Sequence, residues 1–341
     1  METIGTFSFI VLAIVGVLSM FFSNKKVEKV EDSKYQESES QEDLKSCLLG
    51  LISWLRDSYK EYFSEPVIND DRLMFTYLGR TIEVSFDKDN PKYLFLSCFI
   101  CDCYDNELID VLKNINSINT QLQFARILKR SDAIVADADA LCSTSFDDTN
   151  IDEIFYELLM DIHKACDKYF EVENPHNWYT SKANSNLTRI ELKRRIREFL
   201  GRRNVLCSEH REDTISFSVE GIKSYVGFLT NSTNNSNFFQ ITTKVELDQG
   251  NDLICLICLN YINTRYKFIS VKRHNDSIVF STSGIVHEAN VEEVFHFNLY
   301  TMYEAYNDYQ SKYIEHQAIF NKYTKTNGNN RKIIAGFSST N

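Results

Sequence analysis

The strongest constraint on this chain is an internal repetition. Residues Asn116–Phe124, NSINTQLQF, return 144 positions later as Asn260–Phe268, NYINTRYKF. Five of the nine places are identical: Asn116/Asn260, Ile118/Ile262, Asn119/Asn263, Thr120/Thr264 and Phe124/Phe268. A catalytic motif, a structural corner and coincidence are the three explanations to separate. The match continues on both sides. Asp71/Asp213, Phe75/Phe217 and Gly79/Gly221 align at an offset of 142, Asp132/Asp276, Ile134/Ile278 and Val135/Val279 at 144, and Glu153/Glu293, Phe155/Phe295, Ala165/Ala305 and Tyr169/Tyr309 at 140. The offset changes only between elements, where loops take insertions. Coincidence therefore fails, and the chain is expected to be two similar units.

Periodicity fills in the units. Leu48, Ile52, Leu55 and Tyr59 recur at helical spacing, and RLMFTYLG, RTIEVSF and KYLFLSCFI alternate as strands. NELIDVLKNIN returns to a helical pattern, QFARILKR and AIVADADALC form a hairpin across RSD, and NIDEIFYELLMDIHKACDKYFE reads as a long closing helix. The same order recurs from TRIELKRRIREFLG onward. The expected fold is α+β, a tandem repeat of α-β-β-β-α-β-β-α over residues 43–171 and 187–315, joined by a linker at 172–186 and followed by a helix end and polar tail at 316–341.

The N-terminus is of another kind. Ile4–Phe22 holds no charge in 19 residues, and as a helix would span roughly 28 Å, close to the ~30 Å of a hydrocarbon core. No basic residue precedes it, and Phe21-Phe22 is a poor cleavage site, which argues against a signal peptide. Residues 1–22 are expected to be a transmembrane anchor and 23–42 a flexible polar tether. Lys25, Lys26 and Lys29 then place the remainder in the cytoplasm of a single-pass inner-membrane protein. Nine Cys at irregular spacing fit buried thiols in a reducing compartment. A net charge of −11 disfavours nucleic acid as a partner.

No residue cluster speaks for catalysis. Cys98/Cys101 and Cys255/Cys258 share a C-x-x-C spacing, but on a strand Cys98 and Cys101 should face opposite ways, with Cys101 and Cys103 on one face. The GIVHE stretch is a weak signal, and Asp132, Asp137 and Asp139 read as a solvated face. No cofactor or metal is expected, and no catalytic residue. In the last helix Phe295, Leu299, Met302, Tyr306, Tyr309 and Tyr313 form one stripe for packing, matched by Phe155, Leu159, Ile162, Cys166 and Tyr169. Tyr300 lies outside the stripe and Tyr303 at its edge, so these two are the candidates for contact with a partner. The helix RIELKRRIREFLGRR carries seven Lys/Arg against two Glu. Lys193, Arg194, Arg195 and Arg197 are candidates for an anionic surface, against the plainer reading of a solvated face.

The phrase itself lacks a base, an acid or a metal ligand. As a corner, Asn119 and Asn263 would end a helix in left-handed conformation, Thr120 and Thr264 would bond nearby backbone, and Phe124 and Phe268 would enter the sheet core. Asn116 and Asn260 belong to the same element.

A helix ending in N-x-x-N, here Asn116-x-x-Asn119, that leads into the strand Gln123–Lys129, a hairpin and a long closing helix resembles the YbjN family of bacterial proteins, and Asn260-x-x-Asn263 repeats it. The resemblance covers about 125 residues per copy; RSD and HND stand where that family has a D-G turn. It implies domains like type III secretion chaperones, twisted antiparallel sheets with packed helices that bind protein segments and hold no catalytic residues. The family is described as a regulator of sensory transduction. The expected function is a non-catalytic, membrane-tethered module that binds a protein partner, its two repeats forming a pseudo-dimer within the chain, with homo-oligomers as a further option. The alternatives are a sensor of a ligand or anionic lipid, and an enzyme with its site at the seam between repeats.

Overall fold

A computed structural model describes residues 46, 48–50, 52–53, 56–57, 63–69, 72–86, 93–103, 108–141, 148–171, 187–229, 238–246, 252–286 and 290–327. The expected anchor, the tether and the 172–186 linker lie outside these residues. Among the described residues no helix is long and apolar enough to cross a membrane.

The first repeat runs β1 (Val67–Asn69), β2 (Arg72–Tyr77), β3 (Arg80–Phe86), β4 (Tyr93–Asp102), α1 (Leu108–Asn119), β5 (Ala125–Arg130), β6 (Ala133–Leu141) and α2 (Asp148–Tyr169). The second runs α3 (Arg189–Gly201), β7 (Cys207–Arg211), β8 (Thr214–Val219), β9 (Ile222–Leu229), β10 (Phe238–Glu246), α4 (Asp252–Arg265), β11 (Ser270–His274), β12 (Ser277–Ile285) and α5 (Val291–Asn327). Ser46, Leu48 and Ile52, ahead of β1, are helical as α3 is ahead of β7.

Each half holds a six-stranded antiparallel sheet, ordered β1-β2-β3-β4-β6-β5 and β7-β8-β9-β10-β12-β11. The two orders are the same. The expectation of three strands before the middle helix is corrected to four. The extra strand is the outermost in both halves. β1 is three residues long, and β7, CSEHR, is exposed along most of its length. An edge strand with neither face buried needs no alternation, so the periodicity carried no signal for it.

Tight turns explain two of the repeated positions. Leu78-Gly79 and Glu220-Gly221 have positive φ at both residues, 49° and 76° in one and 53° and 81° in the other. Only turns of this twist join two-residue hairpins smoothly, and glycine takes the second place without a Cβ penalty.

The stripes of the closing helices pack as expected. Phe155, Leu159, Ile162 and Cys166 of α2 are buried on the first sheet, and Phe295, Leu299, Met302 and Tyr309 of α5 on the second. The two cores exchange residues. Ile285 belongs to the first core and Leu141, its counterpart, to the second. Helix α4 is buried on every side, from Ile254 to Leu259 and at Ile262 and Asn263, because the first half covers the face its own sheet leaves open.

Candidate functional site

The repeated phrase sits at the seam between the halves and closes it. In α1, the Asn119 side chain accepts from Ile127 N at 2.7 Å and donates to Ile127 O at 3.0 Å, which clamps β5 of its own half. In α4, Asn263 does the same to Val271 of β11, at 2.6 and 2.7 Å. The other asparagine of each pair crosses the seam. Asn116 accepts from Arg273 N at 2.7 Å and donates to Arg273 O at 3.1 Å; Asn260 accepts from Lys129 N and donates to Lys129 O, both at 3.0 Å. Lys129 and Arg273 are equivalent positions. A carboxamide is the side chain that offers an acceptor and a donor side by side, as a strand edge requires. Ile127 and Lys129 lie two apart, so their main-chain groups share the outward edge of β5. Each inner edge is thereby closed by one asparagine from each half.

These contacts revise the corner. Neither Asn119 nor Asn263 has positive φ; the left-handed residue in this region is Phe268, at 68°. Thr120 and Thr264 do bond nearby backbone, at Ser117 O and Asn260 O. Phe124 enters the first core as expected, where it packs on Phe238, and Phe268 lies at the seam on Tyr93, with centroids 6.1 and 4.9 Å apart. Phe238 and Tyr93 are the first residues of β10 and β4.

Charge reinforces the closure unequally. Arg126 of β5 donates to Asn263 O at 2.9 Å and pairs with Asp139 at 2.5 Å, both side chains at least 97% buried. Burial pulls the Arg126 guanidinium down, and the charge and bond of Asp139 more than offset that, so its affinity for the proton is raised. Asp139 also accepts from Phe268 N across the seam, at 2.5 Å. Asp137 pairs with Arg130 and accepts from Ser97 Oγ at 2.8 Å. The solvated face expected for Asp137 and Asp139 is therefore corrected: both are buried ties. In the second half Ser270 and Ser283 stand in the places of Arg126 and Asp139. Lys272, its ammonium pulled down by burial, lies 3.5 Å from Asn119 O. Each middle helix thus ends against a cation from the opposite half, the favourable pole for its dipole.

The other candidate residues are dispersed. Tyr300 is at the surface, with its hydroxyl donating to Glu304 at 2.5 Å, a bond that pushes the phenol up to about 12. Tyr303 is corrected: it is buried, and its hydroxyl meets Ser224 at 3.0 Å. A residue at the edge of a helical stripe can turn inward when a small polar partner faces it. The cations of the basic helix are engaged nearby. Lys193 and Arg197 pair with Glu209, Arg194 and Arg195 with Glu191, and Arg194 also with Glu198. Arg189 and Arg202 pair with Glu212 and Glu292, and Arg203 lies over the Phe199 ring. Arg194 and Arg195 hold the Glu191 carboxyl down at about 2.

The cysteine geometry also differs from the expectation. A β-bulge between Phe99 and Cys101 breaks the alternation of β4. Cys98 and Cys101 consequently both meet α2, at Cys166 and Tyr169, while Phe99 faces solvent. Cys255 and Cys258 belong to the other core. His163 is buried against Arg80 and Asp167. Gly284 of the GIVHE stretch is a packing glycine, since a Cβ there would lie 2.4 Å from the Phe239 ring.

The outer edge remains. Among the described residues β7 pairs with β8 alone. Leu206, immediately before it, is 91% exposed. A groove of about 480 Å³ opens there, lined by Leu206, Cys207, Phe217, Asn204, Ser208 and Lys223 among others. Sequence periodicity passes over this site because it lies in the connector between a helix and the first strand with a regular pattern. Its one signal is an isolated leucine two residues after Asn204, which has positive φ.

No family model matches this chain, and no curated protein matches it.

Proposed function

We propose that the protein is a non-catalytic binding module that takes an extended polypeptide segment along the outer edge of the second sheet, in a chain tethered to the membrane by residues 4–22. One observation carries the reading. The inner edges are closed by asparagine side chains, whereas β7 presents an edge with the exposed Leu206 and a groove of mixed polar and apolar lining beside it. An added strand would gain main-chain hydrogen bonds from the edge and selectivity from the groove. The charged residues Glu209 and Arg211 and the bulge between them oppose pairing at the far end of β7, so the segment is placed at Leu206–Ser208. The resemblance to YbjN proteins, and through them to type III secretion chaperones, supports the same class of partner. The engagement of Arg126 and Asp139 in ties across the seam argues against an enzyme there.

The test is a photoreactive amino acid at Leu206 in the full chain, irradiated in membranes. A defined polypeptide adduct, reduced by Ser208→Pro in β7, is the expected result. Adducts with lipid only, or the same adducts from a photoreactive residue at the distant Ile314, would overturn the proposal.

A further inference from the structure

The first core holds two thiols in contact. Cys98 of β4 and Cys166 of α2 have Sγ atoms 3.8 Å apart, and each residue is 1% exposed. Arg80 of β3 is anchored beside them, bonding Asp167 at 2.7 Å and His163 at 2.6 Å. The repeat itself does not require this pair. Thr243 takes the place of Cys98 in the second sheet, where it bonds Ser224, and Tyr306 takes the place of Cys166. Two sulfurs have thus been set against each other in one half alone, next to a guanidinium.

We infer that Cys98 and Cys166 form a peroxide-oxidisable dithiol that closes to a disulfide bond tying β4 to α2. The Cys98 thiolate attacks a hydroperoxide oxygen; the S–O bond forms, the O–O bond breaks, and hydroxide leaves. Cys166 sulfur then attacks the sulfenic sulfur; the S–S bond forms and the S–O bond breaks. The released hydroxide takes the Cys166 proton. With hydrogen peroxide, two thiols lose two electrons and two protons, and two waters result. The sulfurs close from 3.8 Å to about 2.0 Å, a movement within the reach of side-chain rotation.

The roles are unequal. The bond donated by Cys166 lowers the Cys98 thiol against the opposing effect of burial, with the Arg80 charge adding to it; the same bond and burial raise Cys166. We assign attack to Cys98 and resolution to Cys166, and R80Q tests that order. In a reducing compartment such a bond is transient and responds to oxidant.

The experiment treats the fully reduced full chain with hydrogen peroxide, alkylates it in denaturant and maps its peptides without reductant. A linked peptide pair joining Cys98 to Cys166, formed before any other and abolished by dithiothreitol, is expected. Recovery of both cysteines alkylated, or of Cys98 joined to Cys101 or Cys103, would overturn the inference. R80Q removes the nearby charge that favours the Cys98 thiolate, so linkage should slow. An unchanged rate would overturn the assignment of Cys98 as the nucleophile activated by Arg80.

Discussion

At the scale of single residues, the informative positions are polar groups with no room for error. Arg126 reaches from an edge strand to a carbonyl in the last turn of the opposite helix and holds Asp139, which in turn receives a main-chain donor from Phe268. Removing the cation leaves a carboxylate in the seam without its partner, and losses of this kind run to about 3–5 kcal/mol. R126L should therefore lower stability by that order in equilibrium urea unfolding. Adding D139N should recover part of the loss, because an amide oxygen still accepts from Phe268 while no charge is left behind. No recovery would mean that the charge is not what the seam needs. That Asp139 is buried was not legible in the sequence. Asp137 and Asp139 alternate as a solvated strand face would; Arg130 and Ser97 of the same half tie Asp137, and the opposite half reaches Asp139 through Phe268.

At the scale of elements, the N-x-x-N helix ends act as clasps for strand edges. The amphipathic stripes, the hairpin turns and the repeat order could all be read from periodicity, since each depends on neighbours within a few residues. The clasp could not. Asn119 bonds a strand eight residues away, but Asn116 and Asn260 bond strands 157 and 131 residues away. N260A should remove both bonds to the Lys129 main chain, and with two half-buried bonds at the low end of about 1–3 kcal/mol each a loss of roughly 2 kcal/mol is expected. Faster amide exchange at Lys129, with Ile127 unchanged, would locate the effect on the crossing bond. Equal exchange at both would count against the division of labour between the two asparagines. The outer strands were missed for the opposite reason: exposed edges impose no pattern on their residues.

At the scale of the whole molecule, acid should loosen the fold in two windows. Burial, aided by Arg203, holds the His296 imidazole below its usual range; burial, with Lys312, does the same for His316, against Glu315. A depressed histidine binds its proton more readily in the unfolded chain, so its contribution is present above about pH 6.5 and is lost as pH falls through the folded value. Glu191, held at about 2 by Arg194 and Arg195, contributes above about pH 4.3 and loses that contribution only as pH falls toward about 2. The melting temperature should decline between pH 7.5 and 5.5, and H296F with H316F should flatten that decline while leaving the lower window in place. A decline unchanged in the double variant would assign it to other groups.

Taken alone, the amino-acid order determined that this chain is built from two like units of mixed helix and sheet, with these helices, these turns and these buried stripes, because all of that follows from local spacing. What only the tertiary structure decided is what the repeated phrase is for. Its asparagines, the Arg126–Asp139 pair and the Cys98–Cys166 contact join residues far apart in sequence, and no local pattern records which distant edge a side chain will meet. The fold brings the two halves together by closing their inner edges on each other, and among the described residues the outer edge of β7 stays unpaired, which is where we propose that a partner segment docks.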